Sequence, residues 1–169
     1  MTDQNTLLLD ESMIRKKIRR IAFEIYEQNF DEEHIVFAGI EVMGYRLAEL
    51  LQEQLEDISP LKTKVLKVTL DKKSPLQSDV EVSTDPKIVV KQVVIIVDDV
   101  FNTGRTLAYS FKPFLNVRVK KLQVAVLVDR GHHSFPVHPN YVGYALSTTI
   151  KDHVEVSLEE GKPFAAHLS

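Results

Sequence analysis

A run of five apolar and mostly β-branched residues, Val93 to Val97, ends directly at two adjacent carboxylates, Asp98 and Asp99. Such a run is typical of a strand that is buried on both faces, as strands are in a parallel sheet covered by helices. Open sheets of this kind bind their ligands at the carboxyl ends of the strands. The run therefore predicts a helix-covered parallel sheet and places both carboxylates at its ligand-binding edge.

The segment after the two acids has the composition of a phosphate-binding loop. Asn102 to Thr106 contains hydroxyl groups and a glycine, and a helical pattern starts near Thr106. Backbone N–H groups in such a loop can turn toward an anion. An acid pair or a Thr-Gly pair alone is often only a solvated turn or a helix cap. In this order, directly after a buried strand, the combination predicts a site for a phosphorylated sugar with a divalent metal.

Strand-like and helix-like segments alternate along the rest of the chain. The patterns predict helices over 10–29, with Asp10 as N-cap, and over 45–56, strands over 35–38, 64–70, 122–128, 141–143 and 154–156, and loops over 39–44, 71–86 and 129–133. This order predicts an α/β fold with a mostly parallel twisted sheet and helices on both faces. We expect a single domain over 1–169, with the loops 39–44, 98–106 and 129–133 at one sheet edge.

Composition excludes several classes of protein. The chain has 169 residues, of which 44% are hydrophobic and 27% charged, as in ordinary globular domains. It contains no cysteine, and its apolar runs are too short to span a bilayer. We therefore expect a cytoplasmic protein with no membrane partner. The net charge of −3 gives no general attraction to nucleic acid.

Two stretches carry a resemblance to a known family. Val97 to Thr106 resembles the motif of the type I phosphoribosyltransferases that binds 5-phosphoribosyl 1-diphosphate. Leu122 to His132, followed by Pro136 and by Tyr141 to Gly143, is similar to the group of pyrimidine operon regulators and uracil phosphoribosyltransferases. The resemblance covers nearly the whole chain. It implies the fold predicted above, with a small hood formed by the terminal segments.

The resemblance also implies roles for individual residues. Asp98 and Asp99 would be the catalytic pair, holding the ribose hydroxyls directly or through Mg²⁺, and the residues of the phosphate loop would hold the 5′-phosphate. That loop consists of Asn102, Thr103, Gly104, Arg105 and Thr106. The implied pyrophosphate loop consists of Gly39, Ile40, Glu41, Val42, Met43 and Gly44. The implied base pocket contains Asp129, Arg130 and His132, and residues 71–86 would form a flexible lid.

By the same resemblance, the reaction is transfer of ribose 5-phosphate from 5-phosphoribosyl 1-diphosphate to a nucleobase. The base is uracil or another base, pyrophosphate is released, and the context is nucleotide salvage. The implied cofactor is Mg²⁺, which can bridge the ribose and the diphosphate. The implied assembly is a homodimer or a larger homo-oligomer.

The chain departs from the family in the pyrophosphate loop. Glu41, Val42 and Met43 stand where relatives carry a lysine and an arginine, so a negative charge lies where a negative leaving group is expected. Glu41 has two other options, namely to point to solvent or to pair with Arg46. Lys72 or Lys73 in the lid is a candidate for the missing positive charge.

Two other functions stay open on the sequence alone. The chain is either the enzyme described above, an RNA-binding regulator of pyrimidine operons, or a protein that binds ribose phosphates with little turnover, as Glu41 suggests. RNA binding is the less favoured of these and would need several basic side chains on one face. The candidates are Arg15, Lys16, Lys17, Arg19, Arg20, Lys112, Arg118, Lys120 and Lys121.

Overall fold

The computed structural model describes residues 5–74, 76 and 79–169, which form two sheets and four α-helices. The strands are β1 (Thr6–Leu9), β2 (His34–Ile40), β3 (Lys62–Thr69), β4 (Glu81–Val82), β5 (Val93–Phe101), β6 (Lys121–Asp129), β7 (Tyr141–Ala145), β8 (Val154–Ser157) and β9 (Ala165–Leu168). The helices are α1 (Glu11–Gln28), α2 (Met43–Ile58), α3 (Arg105–Ser110) and α4 (Lys112–Leu115). A 3₁₀ turn covers Pro86–Val89. Within these ranges no helix is long and apolar enough to cross a membrane.

The main sheet has six strands in the order β4-β3-β2-β5-β6-β7. Every neighbouring pair is parallel except β3 and β4, which confirms the predicted α/β fold with a mostly parallel sheet. The chain winds from β2 to β3 on one side and then returns to β5 on the other. Such a reversal leaves a crevice at the carboxyl ends of the two central strands, which is the usual ligand site of these sheets.

Apolar side chains cover both faces of the main sheet. One cluster joins the inner stripes of α1 and α2 to the sheet, and a second lies beneath α3, α4 and the 3₁₀ turn. The stripe of α1 consists of Ile14, Ile18, Ile21 and Ile25, which recur at helical spacing. Asp10 caps this helix as predicted, because its side chain accepts a hydrogen bond from the Met13 N–H.

The ends of the chain form a second sheet, β1-β9-β8, in which the strands run antiparallel. This sheet is the hood that the family resemblance implies. Local patterns predicted only its β8 strand, since β1 and β9 form by pairing the two ends of the chain, which no local pattern indicates. Val154 and Val156 of β8 are buried and join the core cluster under α1 and α2.

Two predicted boundaries at the carboxyl edge are wrong. β5 extends to Phe101, so the acid pair lies inside the strand and not after it. The predicted loop 39–44 shrinks to two residues, because Gly39 belongs to β2 and Gly44 to the first turn of α2. A Cβ atom on Gly39 would lie 2.4 Å from the Cα of Tyr45, and one on Gly44 would lie 2.6 Å from the carbonyl oxygen of Val97. These glycines therefore allow α2 to approach β2 and β5 closely.

Two further segments differ from their predictions. The single helix expected from Thr106 is two short helices, α3 and α4, and Pro113 stands in the first turn of α4, where its missing N–H has no intrahelical partner to lose. The polar segment 71–86 contains β4, paired with the edge of β3, and the start of the 3₁₀ turn. Pro75, Gln77 and Ser78 of the predicted lid lie outside the described residues.

The contact of α2 with β5 can be tested by substituting Gly44. An alanine in a helix is ordinarily preferred over glycine by about 1 kcal/mol. Here the added methyl group meets the Val97 carbonyl and the Asp98 backbone, so we expect Gly44→Ala to lower the free energy of unfolding by about 1–3 kcal/mol. Chemical denaturation measures the change. Glu53→Ala on the exposed face of α2 is the control, expected within about 0.5 kcal/mol of the unmodified protein. An increase in stability for Gly44→Ala would contradict the close contact.

Candidate functional site

A cavity of about 490 Å³ opens at the carboxyl edge of the main sheet, between the sheet and the hood. Its size lies in the usual range for small-molecule sites. The wall consists of Met43, Lys72, Asp98, Asp99, Val100, Phe101, Asn102, Thr103, Gly104, Arg105, Thr106, Leu107, His153, Val154, Glu155 and Val156. The acid pair and the whole predicted phosphate loop thus share one cavity.

Asp98 is a carboxylate held almost out of water. Its side chain is 3% exposed, whereas that of Asp99 is 17% exposed. Burial raises the pKa of Asp98 well above its ordinary value, and the neighbouring charge of Asp99 raises this pKa further. The β5 strand produces this situation, because Asp98 continues the buried run that begins at Val93.

Lys72 is the cation that faces the acid pair. Its Nζ atom lies 3.1 Å from Oδ1 of Asp98 and 4.0 Å from Oδ1 of Asp99. The pKa of Lys72 is raised: partial burial acts to lower it, but the charges of the two aspartates outweigh that effect. Lys73 differs from its neighbour, since its backbone N–H donates to Oδ1 of Asp71 and its side chain is not part of the cavity wall. Of the two predicted lid lysines, the structure brings Lys72 to the site.

The phosphate loop follows β5 and turns at a glycine. Gly104 adopts a left-handed conformation with φ of 87°, and a Cβ atom there would lie 3.1 Å from the Phe101 ring. The Arg105 N–H donates to Oγ1 of Thr103 over 3.3 Å, a long bond that an incoming anion oxygen could replace. The loop thus combines a left-handed turn with exposed backbone and hydroxyl groups, which is the construction of an anion nest.

The predicted pyrophosphate loop reaches the cavity through one residue. Met43, the first residue of α2, lines the wall, whereas Gly39 and Ile40 belong to β2. Glu41 does not pair with Arg46, which was one of the two options left open for it. Its carboxylate instead lies 3.2 Å from Nζ of Lys67 and accepts a hydrogen bond from the Thr69 hydroxyl at 3.0 Å, both on β3. Arg46 pairs with Glu49 and Glu160.

The three predicted base-pocket residues do not line this cavity. Oδ1 of Asp129 accepts from the Gly131 N–H and lies 2.9 Å from Nε2 of His133. Arg130 is buried, and Nε2 of His132 lies 3.0 Å from Oγ1 of Thr148. Arg130 and His132 line a neighbouring cavity of about 510 Å³, which shares Asn102 and Thr103 with the first.

The hood supplies cavity residues that sequence reasoning missed. His153 and Glu155 line the wall beside Val154 and Val156. The sequence predicted a strand over 154–156, but nothing local indicates which end of the sheet it covers. Pairing of β8 with β9 places it there, and that pairing joins residues from distant parts of the chain.

The protein side chains at the cavity could supply only some of the ligands of a divalent cation. No group of three or more His, Cys, Asp or Glu side chains that could hold a metal occurs in the part of the chain that the structure describes. Asp98 and Asp99 offer carboxylate oxygens, the type of ligand that Mg²⁺ prefers. They suit an ion that takes its remaining ligands from water and from a bound phosphate compound.

Several cations proposed for RNA contact have partners within the chain. Arg15 pairs with Glu11 at 2.7 Å, and Arg19 with Asp57 at 3.2 Å. Arg20 donates to the carbonyl oxygens of Val142 and Gly143. These three arginines of α1 therefore already have hydrogen-bonding partners within the protein.

Comparison with known proteins shows the family of this chain. The model of the phosphoribosyl transferase domain matches residues 5–160. A protein of Streptococcus pneumoniae named bifunctional protein PyrR is 37% identical over 158 residues, which is 90% of each chain.

Solved structures share the fold. A hypoxanthine-guanine phosphoribosyltransferase from Bacillus anthracis superposes with a TM-score of 0.74 at 17% identity, covering 97% of this chain and 98% of that one. A hypoxanthine phosphoribosyltransferase from Trypanosoma cruzi, in complex with the product IMP, gives 0.73 at 18% identity, covering 86% and 78%. Because the family model matches nearly the whole length of this chain, the chain belongs to the phosphoribosyltransferase family of enzymes.

Proposed function

We propose that the protein transfers ribose 5-phosphate from 5-phosphoribosyl 1-diphosphate to a nucleobase and releases pyrophosphate. The observation that carries the proposal is the single cavity that holds both the acid pair of β5 and the loop from Asn102 to Thr106. A ribose lying over Asp98 and Asp99 would extend its 5′-phosphate into that loop. The amides and hydroxyls of the loop would then bind the phosphate oxygens.

The acid pair suits the charge that develops during this reaction. Breaking the bond from ribose C1 to the diphosphate gives the sugar oxocarbenium character, as in other glycosyl transfers. Carboxylates fixed beside the ribose stabilise that positive charge without having to reorganise. Asp98 is well suited to this task, because its buried position gives a weakly screened interaction with a cation.

Asp98 and Asp99 would also hold Mg²⁺ together with the substrate's oxygens. When bound, the ion supplies positive charge that stabilises the leaving diphosphate. Met43 at the start of α2 lines the same cavity, and the unpaired N–H groups of a helix start favour an anion. We infer that the diphosphate lies between α2 and Lys72.

The position of Glu41 favours turnover over binding alone. Its negative charge would repel a diphosphate if the side chain entered the cavity. The carboxylate is instead held on β3 by Lys67 and Thr69, and Glu41 is not part of the cavity wall. The acidic residue in the family's basic loop is therefore neutralised locally, and Lys72 supplies a cation in the cavity wall.

A paired measurement tests the proposal. Equilibrium binding of 5-phosphoribosyl 1-diphosphate with Mg²⁺ is measured beside turnover with uracil, hypoxanthine and guanine. We expect binding and turnover with at least one base. Glu27→Gln, an exposed change on α1, is the control and should leave both unchanged. Binding without turnover would favour a ribose-phosphate-binding protein, and failure to bind the diphosphate sugar would remove both functions.

Lys72 and Lys73 form a matched pair for testing the lid. Lys72 faces the acids and lines the cavity, whereas Lys73 does not. Loss of one positive group near a developing anion typically slows catalysis by about 10- to 100-fold or more. We expect Lys72→Ala to lower kcat by about that factor and Lys73→Ala to change it less than about two-fold. Steady-state kinetics at saturating Mg²⁺ measures both. Equal effects of the two substitutions would show that Lys72 has no special role.

The raised pKa of Asp98 gives a prediction about stability. The folded protein binds the Asp98 proton more tightly than the unfolded chain does, so its stability falls as pH rises from the ordinary aspartate pKa through the raised one. Asp98→Asn removes this loss. We expect the variant to be more stable than the unmodified protein above the raised pKa, with the difference vanishing below the ordinary value, and to lose turnover. Denaturation from about pH 3 to about pH 9 measures the difference. A variant less stable than the unmodified protein at high pH would contradict the assignment.

A further inference from the structure

The buried guanidinium of Arg130 connects two parts of the site that are far apart in the sequence. Nη1 donates to Oδ1 of Asn102 at 2.8 Å, at the start of the phosphate loop. Nε donates to Oγ1 of Thr148 at 3.2 Å, and Nη2 donates to the carbonyl oxygens of Thr149 and Asp152. Four acceptors thus use most of the five N–H groups of the guanidinium. Arg130 has little capacity left to bind a base directly.

The segment 148–152 leads directly into the hood wall. Asp152 precedes His153, and residues 153–156 line the cavity above the acid pair. Within the segment, the Thr149 N–H donates to Oδ2 of Asp152 and closes a local turn. Across the described parts of the chain, the side chains of the main sheet and its loops that hydrogen-bond to this turn are Arg130 and His132. The position of the turn therefore depends on the Arg130 side chain.

The phosphate loop has supports besides Arg130. The carbonyl oxygen of Thr103 accepts hydrogen bonds from the N–H groups of Ser134 and Phe135, at 2.9 and 3.0 Å. Gly104 packs against Phe101 and Phe135. The loop would thus keep its shape without Arg130, whereas the turn before β8 would lose three of the four side-chain hydrogen bonds that attach it, among the described residues, to the main sheet and its loops.

We propose that Arg130 is a positioning residue that fixes the turn leading into the hood wall, and so sets the space in which the acceptor base lies. This inference rests on the proposed function for its ligands. The planar fork of the guanidinium suits four acceptors that lie in different directions, and a lysine ammonium cannot reproduce that geometry. Loss of Arg130 should weaken recognition of the base far more than recognition of the ribose phosphate.

Two ligands separate the two effects. Ribose 5-phosphate contacts the loop and the acids, whereas uridine 5′-monophosphate adds a base to the same sugar phosphate. Binding of each with Mg²⁺ is measured by calorimetry for Arg130→Met, Arg130→Lys and Thr148→Val. Arg118→Met, at an exposed arginine before β6, is the control. Hydrogen exchange of residues 146–157 is measured on the ligand-free proteins.

For Arg130→Met we expect uridine 5′-monophosphate to bind about ten-fold or more weakly, because binding the base would then have to order the loosened turn. Ribose 5-phosphate should bind within about three-fold of normal, and exchange in 146–157 should accelerate. Arg130→Lys should fall between, and Arg118→Met should match the unmodified protein.

The inference is overturned if Arg130→Met folds and keeps both its affinity for the nucleotide and its exchange protection. It is also overturned if the two ligands lose affinity equally. Should Arg130→Met not fold, Thr148→Val decides by the same comparison, since it removes the hydroxyl that contacts Arg130 and His132 and leaves the other three acceptors of the guanidinium in place. If the unmodified protein binds neither ligand, the binding and turnover measurements with 5-phosphoribosyl 1-diphosphate decide on the proposed function, and hydrogen exchange on the ligand-free variants still tests whether Arg130 holds the turn.

Discussion

The parallel register of β2, β5 and β6 is the constraint on which the site depends. Phe101 lies beside Asp129, so β5 and β6 end together, and Gly39 lies beside Val97, so β2 ends slightly earlier at the same edge of the sheet. Each strand then delivers its following segment to one edge: the start of α2, the phosphate loop, and the Arg130 segment. Burial on both faces holds each strand in place, because sliding it would bring polar residues from beyond its ends between the apolar layers.

The same burial that fixes β5 puts a carboxylate where water hardly reaches it. Asp98 costs the fold stability and, in the proposed reaction, provides a weakly screened negative charge beside the sugar. Lys72 offsets part of that cost while half exposed, at 42%. Because it is half exposed, the Lys72 ammonium can move away from the two aspartates when a divalent cation binds them and can then contact the phosphate compound.

Much of this arrangement was predictable from local sequence. The run Val93 to Val97 predicted the strand, and the acids and the glycine loop predicted the ligand-binding edge and part of the cavity wall. Each of these features depends on residues that are neighbours in the sequence. The hydrogen bonds of the Arg130 side chain were not predictable, since their acceptors belong to residues 102 and 148–152, which are distant in the sequence. The pairing of Glu41 was not predictable for the same reason: its partner Lys67 lies on another strand, whereas the candidate Arg46 is near in sequence. The glycines at 39 and 44 were predicted to lie in a loop, although their missing side chains serve helix packing.

The hood has an unusual dependence on the last strand. In the order β1-β9-β8, residues 165–168 stand between the first strand of the chain and the strand that faces the cavity. Deleting these four residues would therefore detach both neighbours at once, because β1 and β8 would each lose the strand with which they pair. A deletion more than sixty residues from the acid pair in the sequence would thus disturb the part of the cavity wall that covers the ligand.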